Sequence, residues 1–536
     1  MSAATVKSIM AKKAKKATKK AAPAKKAAPK KAAAKKVAKK AAKKTAKAPP
    51  KKAAKKAAPK AAPKKKAVKK TAKAAPKKAA KAVAKKSAAK KSRAVKSPRA
   101  VAAARTPPKS ARPPKSSKAA KAAAAAEAEA RRPVVVKPRG KGAKAAPLDG
   151  VVVLDFTARL PGRIATQMLA NFGAEVIKIE PVASEAHVLS AEVAAEDAIF
   201  AFLNRGKKSI AVNPKKAAGK DVILQLVKRA DVVVESDRTG FMDSRGLGYK
   251  HLKNQNKRLI YASVTGYGQS GPMSKNVGYD LNFMALAGLL DLLSGEDGNP
   301  LMPGLQLAET AAGALPTVIG ILLALTAREK TGVGQQVDVS MYDGLIGMMS
   351  AQLAAYSATR RTPQRGKEKL FGQFACYNIY PVRNGRWVSV AALEADYWKA
   401  LCKAVGREDL IEDQYASGDR QQVLIAELTR IFQKKEVSEW MEFFQGKDVC
   451  VTPVRNLGDT LHDEHLIDRQ MIVQVRTDGT AYPHVGVFPK LGDTPGSLGG
   501  DPPAPGQDSE AILENLGFGK KKIADLLKSK AVQSTE

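Results

Sequence analysis

The 536-residue sequence predicts an α/β protein: a parallel sheet covered by helices on both faces, with a basic segment in front of it. Three observations predict this. From residue 148 onward, short apolar runs alternate with stretches of helical spacing. Charge changes abruptly near Pro147: residues 1–147 hold 51 of the 95 Lys and Arg and only two acids, Glu127 and Glu129. The first 147 residues also contain no Phe, Tyr or Trp, so they bury too little apolar surface to offset the entropy of ordering.

Taken in order, 151–156 is an apolar run that reads as a buried strand, and 164–171 has helical spacing. A strand follows at 175–180, a helix at 214–229, and strands at 232–235 and 259–264. Helices are predicted at 281–293 and 308–328, then a strand at 336–341 and a helix at 342–356. Strands separated by helices indicate parallel βαβ units. A second region, 366–465, offers a strand at 387–391 and helices at 397–405, 421–433 and 437–445.

The basic segment repeats Ala/Lys units broken by Pro, as in AKKAKKATKKAAPAKKAAPKK. Dense like charge opposes helix formation until counter-charge arrives, and Pro23, Pro29, Pro49 and Pro50 limit any induced helix to short pieces. The expectation is a disordered polycation. Its natural partner is nucleic acid, bound without sequence readout, because stacking aromatics and a recognition helix are lacking. The composition, with Thr106-Pro-Pro-Lys109, resembles the tails of linker histones and of bacterial histone-like proteins. Residues 100–147 read as a Pro-stiffened linker with one short helix at 121–132.

Other classes are excluded or weakened. The longest apolar stretch, 314–327, falls short of the ~20 residues of a membrane span, so no membrane partner is expected. Cys376, Cys402 and Cys450 are widely spaced, which argues against a disulfide framework or a thiolate zinc site and fits a reducing cytoplasm. DNA binding by the tail would add nucleoid association. The GxGxxG string at 266–271 follows a strand, but Pro272 and a loop come next where a nucleotide site needs a helix. His462 and His465 lack a third ligand, and no metal is expected.

Several blocks taken together resemble the class III (CaiB/BaiF-type) CoA-transferase family, which includes α-methylacyl-CoA racemases. They are PLDGVVVLDF at 147–156, LPGRIAT at 160–166, GAEVIKIE at 173–180, LNRGKKSI at 203–210 and ADVVVE at 230–235. GYGQSGP at 266–272, GYD at 278–280, GQQVDVS at 334–340, TPV at 452–454 and ILENLG at 512–517 follow in family order. The resemblance implies a Rossmann-like large domain, begun by 148–365 and completed by 466–525, a small α/β domain at 366–465, and a C-terminal end at 526–536. It also implies an interlocked homodimer, acyl-CoA and carboxylic acid substrates, and no tightly bound cofactor, with coenzyme A itself a substrate.

Residue roles are carried over from the same resemblance. In the transferases an Asp in the context Gln-x-x-Asp-x-x-x-Gly attacks the thioester, and here Gln306-Leu-Ala-Glu309-Thr-Ala-Ala-Gly313 places Glu309 there. An extra methylene moves the attacking oxygen by roughly an ångström, a displacement that can cost ~10²-fold. An acid beside a helix N-terminus is also stabilised by the helix dipole without any catalytic role. The racemases use a His in Gly-His-Asp, and here Tyr279 and Asp280 occupy that motif, with Glu394 where racemases carry a supporting Glu. Arg205, Lys207 and Arg238 match segments that meet CoA phosphates, and Lys208 is a weaker candidate. Arg163 replaces the usual Pro near the pocket. The leading expectation is a CoA-transferase-like enzyme. The alternatives are a 2-methylacyl-CoA racemase variant and an inactive family member acting as a nucleoid-associated binding protein.

Overall fold

The computed structural model describes residues 145–182, 193–295, 298–477 and 480–535. The basic repeats and the helix expected at 121–132 lie outside them.

The chain enters the fold at β1 (Val152–Asp155), followed by α1 (Leu160–Asn171), β2 (Glu175–Glu180), α2 (Val193–Leu203), β3 (Lys208–Val212), α3 (Ala217–Arg229), β4 (Val232–Glu235) and β5 (Ile260–Thr265). Next come α4 (Asp280–Leu286), the long α5 (Leu307–Thr331), β6 (Gln336–Ser340), α6 (Met341–Met348) and α7 (Ser350–Thr359). The second region holds β7 (Tyr377–Pro381), β8 (Trp387–Ala391), α8 (Ala395–Ala404), α9 (Asp419–Phe432), α10 (Val437–Phe444) and β9 (Val451–Pro453). The hairpin β10 (Ile472–Thr477) and β11 (Thr480–Val485) follows, then α11 (Ser509–Asn515), α12 (Lys520–Lys528) and β12 (Val532–Gln533).

Among the described residues, the main sheet runs β12-β3-β2-β1-β4-β5-β6, parallel throughout except where β12 pairs antiparallel with β3. The chain steps outward from β1 to β3, then returns to the other side of β1 with β4. Sheets of this kind take their ligands at the carboxyl ends of the strands, beside that reversal. Side-chain alternation along β1 fills two cores. Leu154 packs with Ile210, Val222, Ile223 and Ile512 under α3 and α11. Val153 packs with Leu169, Val234, Ile321 and Ala324 under α1 and α5.

Six expected strands are present, at Val152–Asp155, Glu175–Glu180, Val232–Glu235, Ile260–Thr265, Gln336–Ser340 and Trp387–Ala391. Two expected helices are each divided. The first breaks at Gly288, whose φ of 81° is a left-handed conformation that a side chain would disfavour. The other breaks at Met349. The C-terminal end expected apart at 526–536 contributes β12 to the sheet edge. Helix α5, at 25 residues, is long and apolar enough by length and composition to cross a membrane, being longer than the apolar stretch 314–327 within it. One face of it packs on α1, β5 and β6, and the other is exposed.

The second region has its own antiparallel sheet, β7-β8-β9, and its own core around Trp398, Leu424, Phe432 and Trp440. Both buried indoles are satisfied: Trp398 Nε1 donates to Leu410 O at 3.1 Å and Trp440 Nε1 to Phe432 O at 2.8 Å. The hairpin then returns Val473 and Val475 to the core beneath α1 and α5.

Candidate active site

A cavity of about 140 Å³ opens at the carboxyl ends of β4 and β5. Its walls include Arg159 after β1, Asp237 and Arg238 after β4, Tyr267 after β5, Tyr279 before α4, and Glu309 in the first turn of α5. Glycines let these loops converge. A Cβ on Gly266 would lie 2.5 Å from the Phe283 ring, and one on Gly278 2.7 Å from it. That close approach explains Gly266 and Gly278 as packing around Phe283, whose ring meets Tyr267 edge-on at 5.1 Å, while Gly268 and Gly271 take left-handed turns at φ of 80° and 84°.

Glu309 is half-buried, and its backbone N–H donates to Asp280 Oδ1 at 2.9 Å. Helix α5 then widens into a π-helical turn at Thr310–Ala314, a distortion common at functional sites. Burial raises the Glu309 pKa, the neighbouring Asp280 charge raises it further, and Arg159 opposes both. Asp280 begins α4, and the Tyr279 N–H before it is fixed by Asn282 Oδ1 at 3.0 Å. The Tyr279 ring lies beneath the Arg159 guanidinium, 5.6 Å from its centroid. Burial also raises the Asp237 pKa, against Arg245 and Arg159.

Thus the structure brings Glu309, Tyr279 and Arg238 into one cavity wall, with Asp280 beside Glu309. Three expectations are corrected. Lys207 is fully buried, and its ammonium meets Asp155 Oδ2 at 3.0 Å, Thr166 Oγ1 at 2.8 Å and Asn204 Oδ1 at 2.9 Å. All three N–H bonds are used inside the protein, which leaves none for a CoA phosphate. Arg205 is 5% exposed and donates to the Tyr482 hydroxyl at 3.3 Å and to Asp501 at 3.4 Å, joining the LNRGKK segment to the returning chain. Glu394 is exposed at the start of α8 in the second region and does not line the Glu309 cavity. Of the lesser candidates, Lys208 pairs with Glu175 at 2.6 Å on the surface, and Arg163 faces the Phe200 ring at 5.9 Å.

Sequence reasoning missed Arg159. The one signal that could have found it is position, in the loop directly after the first strand of a parallel sheet. A second cavity, about 870 Å³ and mostly apolar, lies between the Leu289–Leu292 turn and the β7-β8 sheet. It is lined by Leu307, two residues from Glu309, with Met302, Met348, Phe371 and Ile379. Among the described residues no cluster of His, Cys, Asp and Glu suits a metal ion.

An acidic side chain in a cavity at the carboxyl ends of parallel strands defines an enzyme-like site. Residues 148–509 match CoA-transferase family III, and the chain belongs to it. It is 33% identical over 390 residues to the alpha-methylacyl-CoA racemase of Mus musculus, covering 72% of this chain and 98% of that relative. It is 31% identical over 349 residues to the acetyl-CoA:oxalate CoA-transferase of Acetobacter aceti, covering 63% and 87%. A CAIB/BAIF family protein from Brucella suis has a similar structure, with TM-score 0.59 and 27% identity over 70% of this chain and all of that one.

Chemistry that uses ionised Glu309 loses rate as pH falls through its raised pKa. Asp280→Asn removes the like charge and keeps an oxygen to accept the Glu309 N–H. The acid limb of the pH–rate profile therefore moves to lower pH in this variant; an unmoved limb would show that Asp280 does not act on Glu309.

Proposed function

We propose that the protein moves CoA between an acyl-CoA thioester and a carboxylic acid through the Glu309 carboxylate. The observation that carries this reading is the half-buried Glu309 carboxyl in a cavity at the sheet reversal, its backbone fixed by Asp280. A Glu309 oxygen attacks the donor thioester carbonyl, forming a mixed anhydride and releasing CoA thiolate. The thiolate attacks the Glu309 carbonyl, the donor acid leaves, and CoA is held as a thioester on Glu309. The acceptor acid reverses these steps. Asp280 positions Glu309, Tyr279 walls the cavity, and exposed Arg238 at its rim suits a CoA phosphate. Similarity to the acetyl-CoA:oxalate transferase supports the same chemistry.

A second reading, 2-methylacyl-CoA racemisation, is favoured by the similarity to the racemase and by the apolar cavity beside Leu307, which suits an apolar acyl chain. Against it, Tyr279 stands where those enzymes use His, and a phenol lacks the imidazole nitrogen lone pair that would take the α-proton.

Mass spectrometry after incubation with a panel of acyl-CoAs separates the readings. The transferase reading expects an adduct on Glu309, absent in Glu309→Gln, with CoA transfer lost by roughly three orders of magnitude. Full transfer by that variant would remove Glu309 as nucleophile. Proton exchange at the α-carbon without acid-dependent transfer would favour racemisation.

Two assembly properties belong to the same proposal. Leu315, Ile319, Leu322 and Leu323 on α5 and Leu353 and Tyr356 on α7 are exposed, an apolar surface that a second copy would cover, as the interlocked dimer implied by the family does. Sedimentation at micromolar concentration is expected to give twice the 56.8 kDa chain mass; a single-chain mass would end this reading.

We extend this proposal to residues 1–147, whose 51 Lys and Arg would tether the enzyme to DNA without sequence readout; a cytoplasmic enzyme at the nucleoid is what that tether implies. Full-length protein is expected to be retained on DNA at low salt and released steeply as salt rises. Deletion of 1–147 abolishes retention, and unchanged retention would exclude the tail.

A further inference from the structure

The Glu309 cavity holds a cation that none of the roles above uses. Arg159 follows the carboxyl end of β1, is exposed, and faces the cavity together with Glu309. Among the described residues its guanidinium makes no side-chain hydrogen bond or ion pair; it lies over the Tyr279 ring, 5.6 Å from the centroid. A cation–π contact uses none of the guanidinium N–H groups as hydrogen-bond donors to oxygen, and their fork matches a carboxylate bidentately. The other cation of the wall is Arg238, and the acids at or beside it are Asp237, Asp280 and Glu309.

We infer that Arg159 receives the carboxylate of the acceptor acid, and so sets the enzyme's affinity for free carboxylic acids. This deepens the transferase reading and rests on it. In the resting enzyme Arg159 partly offsets the Glu309 charge from across the cavity. Once Glu309 carries CoA as a thioester it is uncharged, while Asp280 and Asp237 still repel an incoming anion. Arg159 has then lost one counter-charge and takes the acceptor's carboxylate in its place. A carboxylate oxygen so held attacks the Glu309 thioester carbonyl, CoA thiolate leaves, and a mixed anhydride of Glu309 and the acceptor forms. The thiolate attacks the acceptor's acyl carbon, and the Glu309 carboxylate is restored. A cavity of about 140 Å³ equals roughly four or five water volumes. It has room for a carboxylate head and little more.

The test uses the full chain, with acetyl-CoA and succinyl-CoA as donors and oxalate, acetate, succinate and glutarate as acceptors. Two quantities are read: formation of the Glu309 adduct from donor alone, and the acid-dependent loss of that adduct above simple hydrolysis. In Arg159→Gln, the acid concentration giving half-maximal acceleration rises by about 10- to 100-fold, the range of a lost charge-assisted pair. Donor KM changes by far less, and Arg159→Lys recovers part of the effect. Equal changes for donor and acid, or no change for any acid, would overturn the assignment and leave Arg159 as a packing partner of Tyr279. Wild-type protein that forms no adduct with either donor would instead overturn the transferase reading, and this assignment with it.

Discussion

The site depends on a buried ion pair at the end of β1. Asp155 is fully buried at the point where the sheet reverses, and its Oδ1 accepts from the Thr157 N–H at 2.8 Å and the Thr157 hydroxyl at 2.6 Å. Its Oδ2 faces the Lys207 ammonium and the Thr166 hydroxyl. Burial alone would raise its pKa, but the Lys207 and Lys178 charges with the Thr157 hydrogen bonds overcome that and hold the carboxyl well below the usual range. Lys178 Nζ also donates to Thr157 O at 2.9 Å. One carboxylate thus fixes strand, loop, first helix and the approach to β3 together. Removing one partner would leave an uncompensated buried charge, at a cost of about 3–5 kcal/mol.

This network positions chemistry that it does not touch. The loop it pins carries Arg159 into the cavity and Pro161 against the first turns of α5, next to Gly313. Glu309 is held from the other side, by Asp280 at the start of α4. Arg159 and Glu309 lie 150 positions apart in the sequence; the loop of the first is pinned by Asp155 and the backbone of the second by Asp280. The cavity is therefore fixed by backbone contacts, and its side chains remain free to meet a ligand.

Much of this was legible in the sequence, unevenly. β1, β2, β4 and β5 are apolar runs between helical stretches, and their parallel arrangement follows from that alternation. β3 was not legible, because Lys208-Ser209 opens it with polar residues that the fold satisfies: Ser209 Oγ donates to Glu180, and Lys208 pairs with Glu175. Lys207 shows the same limit in the site. A lysine in a matched block reads as a phosphate ligand until a buried aspartate 52 positions earlier is seen to hold it. Glu309 and Asp280 were legible because their motifs are local. Arg159 was not, since a lone arginine in a loop has no spacing to mark it.

The departure that matters most for reactivity is also an electrostatic one. A carboxylate of raised pKa is a stronger nucleophile once ionised, but a smaller fraction of it is ionised in acid. Burial and Asp280 push Glu309 in that direction, and Arg159 restrains it. The same three groups therefore set both the basicity of the attacking oxygen and the charge left behind when it is acylated. A longer acid in place of Asp alters reach, which the protein's geometry must absorb. It also moves the carboxylate relative to Asp280 and Arg159, and because charge interactions fall with distance and burial depends on depth, reach and charge balance change together.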